Sequence, residues 1–156
     1  MYATSLLIRA QLLTDQDSLV PQRVRMVVFW DRQTNGADCS ISGTTQSLML
    51  ASGTVTGTFD FRNQITIDRF KILFDKVYTL NPQLKLTEAA GTVTDNQPIS
   101  INIVQYFKLG RVLDYSASTG AIADLVKNTI NVAFISDVGA DQPTVAYNIR
   151  LHFKDV

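Results

Sequence analysis

Residues 23–36 read Arg-Val-Arg-Met-Val-Val-Phe-Trp-Asp-Arg-Gln-Thr-Asn-Gly. Val24, Met26, Val28 and Trp30 alternate with Arg23, Arg25, Val27 and Phe29 at a period of two, the signature of an extended strand whose side chains point to opposite faces. The run stops at Asp31, and Asn35-Gly36 supplies the residues that a tight reversal with positive φ needs. Val27 and Phe29 make the second face apolar as well. That is more apolar surface than one core requires, so the strand predicts contacts between subunits in addition to a core face.

The same period recurs on both sides of this stretch. Upstream, residues 2–12 set Leu6, Ile8, Ala10 and Leu12 against Ser5, Arg9 and Gln11. Downstream, residues 37–68 are rich in Ser, Thr and Gly, with an apolar knot at Leu48, Met49 and Leu50 and an aromatic pair at Phe59 and Phe61, which predicts a long surface excursion holding small elements. Residues 69–80 alternate Phe70, Ile72 and Phe74 against Arg69, Lys71 and Leu73, and the phase falters at Asp75-Lys76, as a bulge would make it. Pro82 and the polar segment 88–98 predict a loop. Further strands are expected at 99–107 (Ile99, Ile101 and Ile103 inward), 111–115, 130–136 (Ile130, Val132 and Phe134 inward) and 145–154 (Tyr147, Ile149, Leu151 and Phe153 inward). Only 122–128 has room for a helical turn. Short strands, no sustained helical period and loops of unequal length predict an all-β antiparallel sandwich with Greek-key connections, not an up-and-down barrel, propeller or solenoid.

Composition narrows the function classes. The 156 residues are 46% hydrophobic and 18% charged, which predicts a single globular domain over 1–156, and no apolar run approaches the length of a membrane span. Fourteen Lys and Arg balance fourteen Asp and Glu, so any attraction for nucleic acid must be local. The single Cys39 closes no intrachain disulfide, and residues 1–12 carry Arg9 with no small-residue cleavage site, which argues against a secreted, disulfide-framed protein. One histidine, His152, and one cysteine do not assemble a usual zinc site. There is no G-x-S-x-G, P-loop or G-x-G-x-x-G, and Gly36, Gly43, Gly53 and Gly57 do not lead into a helix. Asp75, Asp137 and Asp141 lie in no calcium-loop pattern. The expectation is a protein without catalytic residues, cofactor or metal.

Taken in order, LLIRAQL (6–12 with Leu6 to Leu12 at its heart), RVRMVVFWDRQTNGA (23–37), DRFKILFDKVYTL (68–80) and YNIRLHFKD (147–155) resemble the single jelly-roll capsid proteins of small circular Rep-encoding single-stranded DNA viruses, and in pattern the coat proteins of small satellite plant viruses. The resemblance covers nearly the whole chain. It implies an eight-stranded jelly roll with strands B, I, D and G in one sheet and C, H, E and F in the other. Carried over in order, B is 2–12, C is 23–30, D is 69–80, E is 99–107, F is 111–115, G is 122–128, H is 130–136 and I is 145–154, with 37–68 as the C–D loop. Such proteins carry a basic arm before strand B; here strand B begins almost at Met1, so the arm has been removed or this member lacks it.

The implied function is a viral coat protein that self-assembles into a small icosahedral T=1 shell, located in the virion, with copies of itself and a packaged single-stranded nucleic acid as partners. With B, I and D as neighbours, Arg9, Lys71, Arg150, His152 and Lys154 share one sheet face, the face that lines the shell interior in that family. They are expected to bind phosphate weakly and without sequence preference. The alternative function is a carbohydrate-binding β-sandwich using Phe59, Phe61 and Tyr115 as stacking platforms.

Overall fold

The computed structural model describes residues 1–15, 18, 20–34, 39–41, 47–49, 58–86, 93–116 and 121–154. In chain order the strands are β1 (Tyr2–Leu13), β2 (Gln22–Asp31), β3 (Phe70–Leu80), β4 (Gln83–Leu86), β5 (Val93–Gln97), β6 (Ser100–Val112), β7 (Asp114–Tyr115), β8 (Leu125–Lys127), β9 (Thr129–Ser136) and β10 (Thr144–Lys154). Two single-turn 3-10 helices, Gln64–Thr66 and Ile122–Asp124, are the helical elements among the described residues. None of the described helices is long and apolar enough to cross a membrane.

The six long strands form two antiparallel sheets, ordered β10-β1-β6 and β3-β2-β9. Their inner faces share one core: Leu6, Ile8, Ala10 and Leu12 of β1 and Ile103 of β6 meet Val24, Met26 and Val28 of β2 and Leu80 of β3. Phe74 and Phe107 close it edge to face, with ring centroids 6.1 Å apart. The inward residues expected on β1 and β9, and Val24, Met26 and Val28 of β2, pack in or against this core. Trp30 is buried in a separate cluster with Ala3 and Leu113, and of the β10 residues expected inward Leu151 packs against the core while Tyr147, Ile149 and Phe153 are exposed.

Several expectations change. Strand 69–80, placed beside B and I, instead pairs with β2 from Gln22↔Leu80 to Asp31↔Phe70. Residues 100–107 and 111–112, read as parts of two strands of the other sheet, belong to one strand that pairs with β1 from Leu13↔Ser100 to Tyr2↔Val112, while Asp114–Tyr115 forms the separate β7. Gly110, at φ 66°, bulges this strand where a break was expected. The slip in β3 lies between Phe74 and Ile72, not at Asp75-Lys76. A one-residue slip reverses the faces, so Phe74 points to the main core while Ile72 and Phe70 point away from it. Within the segment 88–98, expected as loop, Val93–Gln97 forms β5, which pairs with β4 just after Pro82. The segment 122–128 is a 3-10 turn followed by β8, which pairs with β7. The Asn35-Gly36 turn lies outside the described residues.

The surplus apolar face of β2 is covered from within the chain. Val27, Phe29, Leu48, Met49 and Phe70 are fully buried together in a second cluster, with the Phe29 and Phe70 rings edge to face at 5.6 Å. The excursion between β2 and β3 therefore packs on the outer face of this sheet, which removes Val27 and Phe29 as subunit contacts. Arg25 Nη1 ties it to β2 by donating to the carbonyls of Thr58 and Asp60, and two bidentate ion pairs join β2 to β3 beneath it. Arg69 donates to Asp31 at 2.9 and 2.8 Å, and Arg25 donates to Asp75 at 2.7 and 2.6 Å. In each case the arginine stays firmly charged, raised above its ordinary range chiefly by its hydrogen bonds to the carboxylate.

Candidate nucleic-acid interface

The outer face of the β10-β1-β6 sheet is set by alternation. Because Leu6, Ile8, Ala10 and Leu12 fill the core, Leu7, Arg9 and Gln11 point outward, and the register carries that direction to both neighbours. Three cross-strand rows result: Asn148–Arg9–Val104, Arg150–Leu7–Tyr106 and His152–Ser5–Lys108. Lys154 ends β10 opposite Tyr2. Arg9, Arg150, His152 and Lys154 are thus brought to one face, as expected. Lys71 is not: it pairs with Trp30 in the other sheet, because β3 joins β2 and not β10.

Lys108, Tyr106 and Val104 were missed because their strand was assigned to the opposite sheet. Their own signal was present in the alternation of Asn102, Val104, Tyr106 and Lys108 with the inward Ile101, Ile103 and Phe107. Among the described residues in these rows and at Asn102, Gln11 and Ala146, none is a carboxylate. No carboxylate among the described residues of these rows stands beside the cations. A depression of about 330 Å³ lies in it, lined by Leu7, Arg9, Asn148 and Arg150.

His152 is oriented by β1. Its Nδ1 lies 2.8 Å from Ser5 Oγ, and Thr4 Oγ1 donates to its carbonyl at 3.0 Å. Ser5 is buried between its row partners, while the imidazole remains at the surface. Of the three aspartates weighed for calcium, the carboxylates of Asp75 and Asp137 are engaged by separate partners, and Asp141 is tied through its backbone. Asp75 accepts from Arg25, Asp137 accepts from the Arg23 backbone N–H at 3.0 Å, and the Asp141 carbonyl accepts from the Gln22 amide. Among the described residues no group of three His, Cys, Asp or Glu is placed to hold a metal ion.

The three rings considered for carbohydrate do not converge. Tyr115 lines a largely apolar cavity of about 290 Å³ with Cys39, Leu113, Leu125, Ile130 and Leu151, and neither Phe59 nor Phe61 borders it. Phe59 has the Arg23 guanidinium over its ring at 5.2 Å, so one of its faces is already occupied.

No family model matches the sequence, and no curated protein matches it.

Proposed function

We propose that the chain is a viral coat protein, the shell-forming jelly-roll domain of the small circular Rep-encoding single-stranded DNA virus type, which assembles with copies of itself into an icosahedral shell around single-stranded nucleic acid. The strand pairings support a jelly roll under different letters from those the sequence suggested. Taken in chain order as D, E, F, G, H and I, the strands β1, β2, β3, β6, β9 and β10 make the pairings I–D, D–G, H–E and E–F. Sheets ordered B-I-D-G and C-H-E-F require all four. The B and C positions, beside β10 and β9, hold no strand among the described residues. An apolar groove of about 260 Å³ opens there, lined by Leu6, Ile130, Val132, Phe134, Tyr147 and Ile149.

The observation that carries the functional reading is the basic outer face of the β10-β1-β6 sheet, whose cross-strand rows hold no carboxylate among the described residues. Under the new letters this is the I-D-G sheet, on the side that the resemblance turns to the shell interior. Fixed cations there bind phosphate by releasing counterions and leave the base order unread. Electron microscopy of the purified chain is the test, and closed particles of uniform size are expected. Monomers alone by light scattering, at high protein concentration and across salt and pH, would count against a shell.

A further inference from the structure

Tyr106 stands out on this face because it is an aromatic ring in a field of cations. It is 58% exposed, Val104 beside it on the same strand is 63% exposed, and Lys108 follows two residues later. Across the sheet its row continues through Leu7 to Arg150, whose strand axis lies about 9.5 Å away at ordinary strand spacing. Leu7 and Val104 give the ring an apolar floor, and Arg9, Arg150 and Lys108 surround that floor with positive charge. Among the described residues no ring stacking or cation–π contact engages Tyr106.

An exposed ring among cations on an open sheet is suited to nucleic acid with unpaired bases. A base freed from its partner offers a flat apolar face to stack on tyrosine, while the attached phosphates reach the flanking cations. In a duplex the bases are already stacked and paired, so only the phosphate contacts remain available. We propose that Tyr106 stacks an unpaired base and makes this face selective for single-stranded over double-stranded nucleic acid. The proposal rests on reading the face as nucleic-acid-facing and adds to it a residue and a preference that the charges alone do not supply.

The test is fluorescence anisotropy of the purified chain kept as dissociated subunits, checked by light scattering, with labelled dT20 and with a 20-base-pair duplex, over a salt series. Tyr106→Ala is expected to weaken dT20 binding by between about 5- and 150-fold, to leave duplex binding and the salt slope unchanged, and to be rescued by Tyr106→Phe. Ultraviolet cross-linking of an oligonucleotide carrying 5-iodouracil to the unaltered protein, mapped by mass spectrometry, supplies a readout independent of any variant's folding, with the adduct expected on Tyr106. Two results would overturn the stacking role: equal affinity of Tyr106→Ala and wild type for dT20, or an adduct that forms away from β6. If Arg150→Gln with Lys154→Gln still flattens the salt slope in that case, the basic face stands without the ring. If neither set of variants changes binding, the nucleic-acid reading of the face fails with it.

Discussion

The guanidinium of Arg25 clamps the carboxylate of Asp75 across the β2–β3 pair, Nε to Oδ1 at 2.7 Å and Nη2 to Oδ2 at 2.6 Å, while its Nη1 donates to the carbonyls of Thr58 and Asp60 at 3.2 and 2.7 Å. One side chain therefore ties two neighbouring strands to the excursion that covers them. Its loss frees two backbone carbonyls and strands a carboxylate that is 30% exposed. Arg25→Ala is expected to destabilise the fold by roughly 3 kcal/mol, and Asp75→Asn by about 1–2, because the asparagine oxygen still accepts and the two carbonyl bonds survive. Urea unfolding of both variants measures the difference. Equal losses would mean that the carbonyl contacts contribute nothing.

The covered outer face of β2 gives a second expectation. Phe29 is fully buried against Phe70, Leu48 and Met49, so Phe29→Ala leaves a cavity inside the chain and should cost about 3–5 kcal/mol. Val104, exposed on the other sheet, should tolerate alanine within about 0.5 kcal/mol. Denaturant midpoints at two protein concentrations decide the point. A Phe29→Ala loss that appears only at concentrations where copies associate would return this face to a subunit contact.

The open side of the sandwich predicts how the isolated chain behaves. On β10, Tyr147 and Ile149 are 64% and 40% exposed although both point toward the inter-sheet groove, and the strand has no neighbour beyond it among the described residues. Unpaired strand edges with apolar side chains invite pairing with another chain. Ile149→Lys should lower concentration-dependent association in light scattering, whereas Phe61→Ser, on the excursion, should not. Equal association of wild type and Ile149→Lys would exclude this edge as the contact.

The strands were legible because period-two alternation is local. Arg23 to Trp30, Leu6 to Leu12 and Tyr147 to Phe153 declare their two faces without reference to anything else. Partnership between strands is not local, and there the reading went astray: Lys71 shares the alternation of β3 but not the sheet of Arg9, and Tyr106 and Lys108 became visible as part of the basic face only once β6 was seen beside β1. The covering of Phe29 was equally hidden. Leu48 and Met49 lie in a Ser- and Thr-rich stretch with no period, and their role follows from the excursion folding back over β2. Leu84 and Leu86, alternating with Gln83 and Lys85, were a missed strand signal.

Gly110 supports the continuous β6 through its backbone. At φ 66° it occupies the left-handed region, and a Cβ placed there would lie 3.3 Å from the Tyr2 hydroxyl. Gly110→Ala is expected to cost about 1–2 kcal/mol, most of it backbone strain, so Tyr2→Phe should relieve little of it. Gly110→Asn, which tolerates this conformation better, should cost less than alanine. Thermal unfolding of the three variants tests the ranking, and an alanine variant as stable as wild type would show that the bulge relaxes without its glycine.

Tyr78 provides a pH dependence with a definite sign. It packs against the main core from β3 with Lys76 Nζ 4.9 Å above its ring, and burial raises its phenol above the ordinary value of 10.0 by disfavouring the charged form. The folded state therefore holds this proton more tightly than the unfolded state. The corresponding stability is fully present below the unfolded value near pH 10 and is lost as pH rises through the raised one. Tyr78→Phe keeps the ring, its packing and the lysine contact but has no proton to lose. It should match wild type within about 0.5 kcal/mol at pH 8 and show a shallower decline in urea midpoint between pH 9.5 and 11. Parallel declines for the two proteins would mean that other groups set the alkaline limit and that the Tyr78 hydroxyl remains in contact with water.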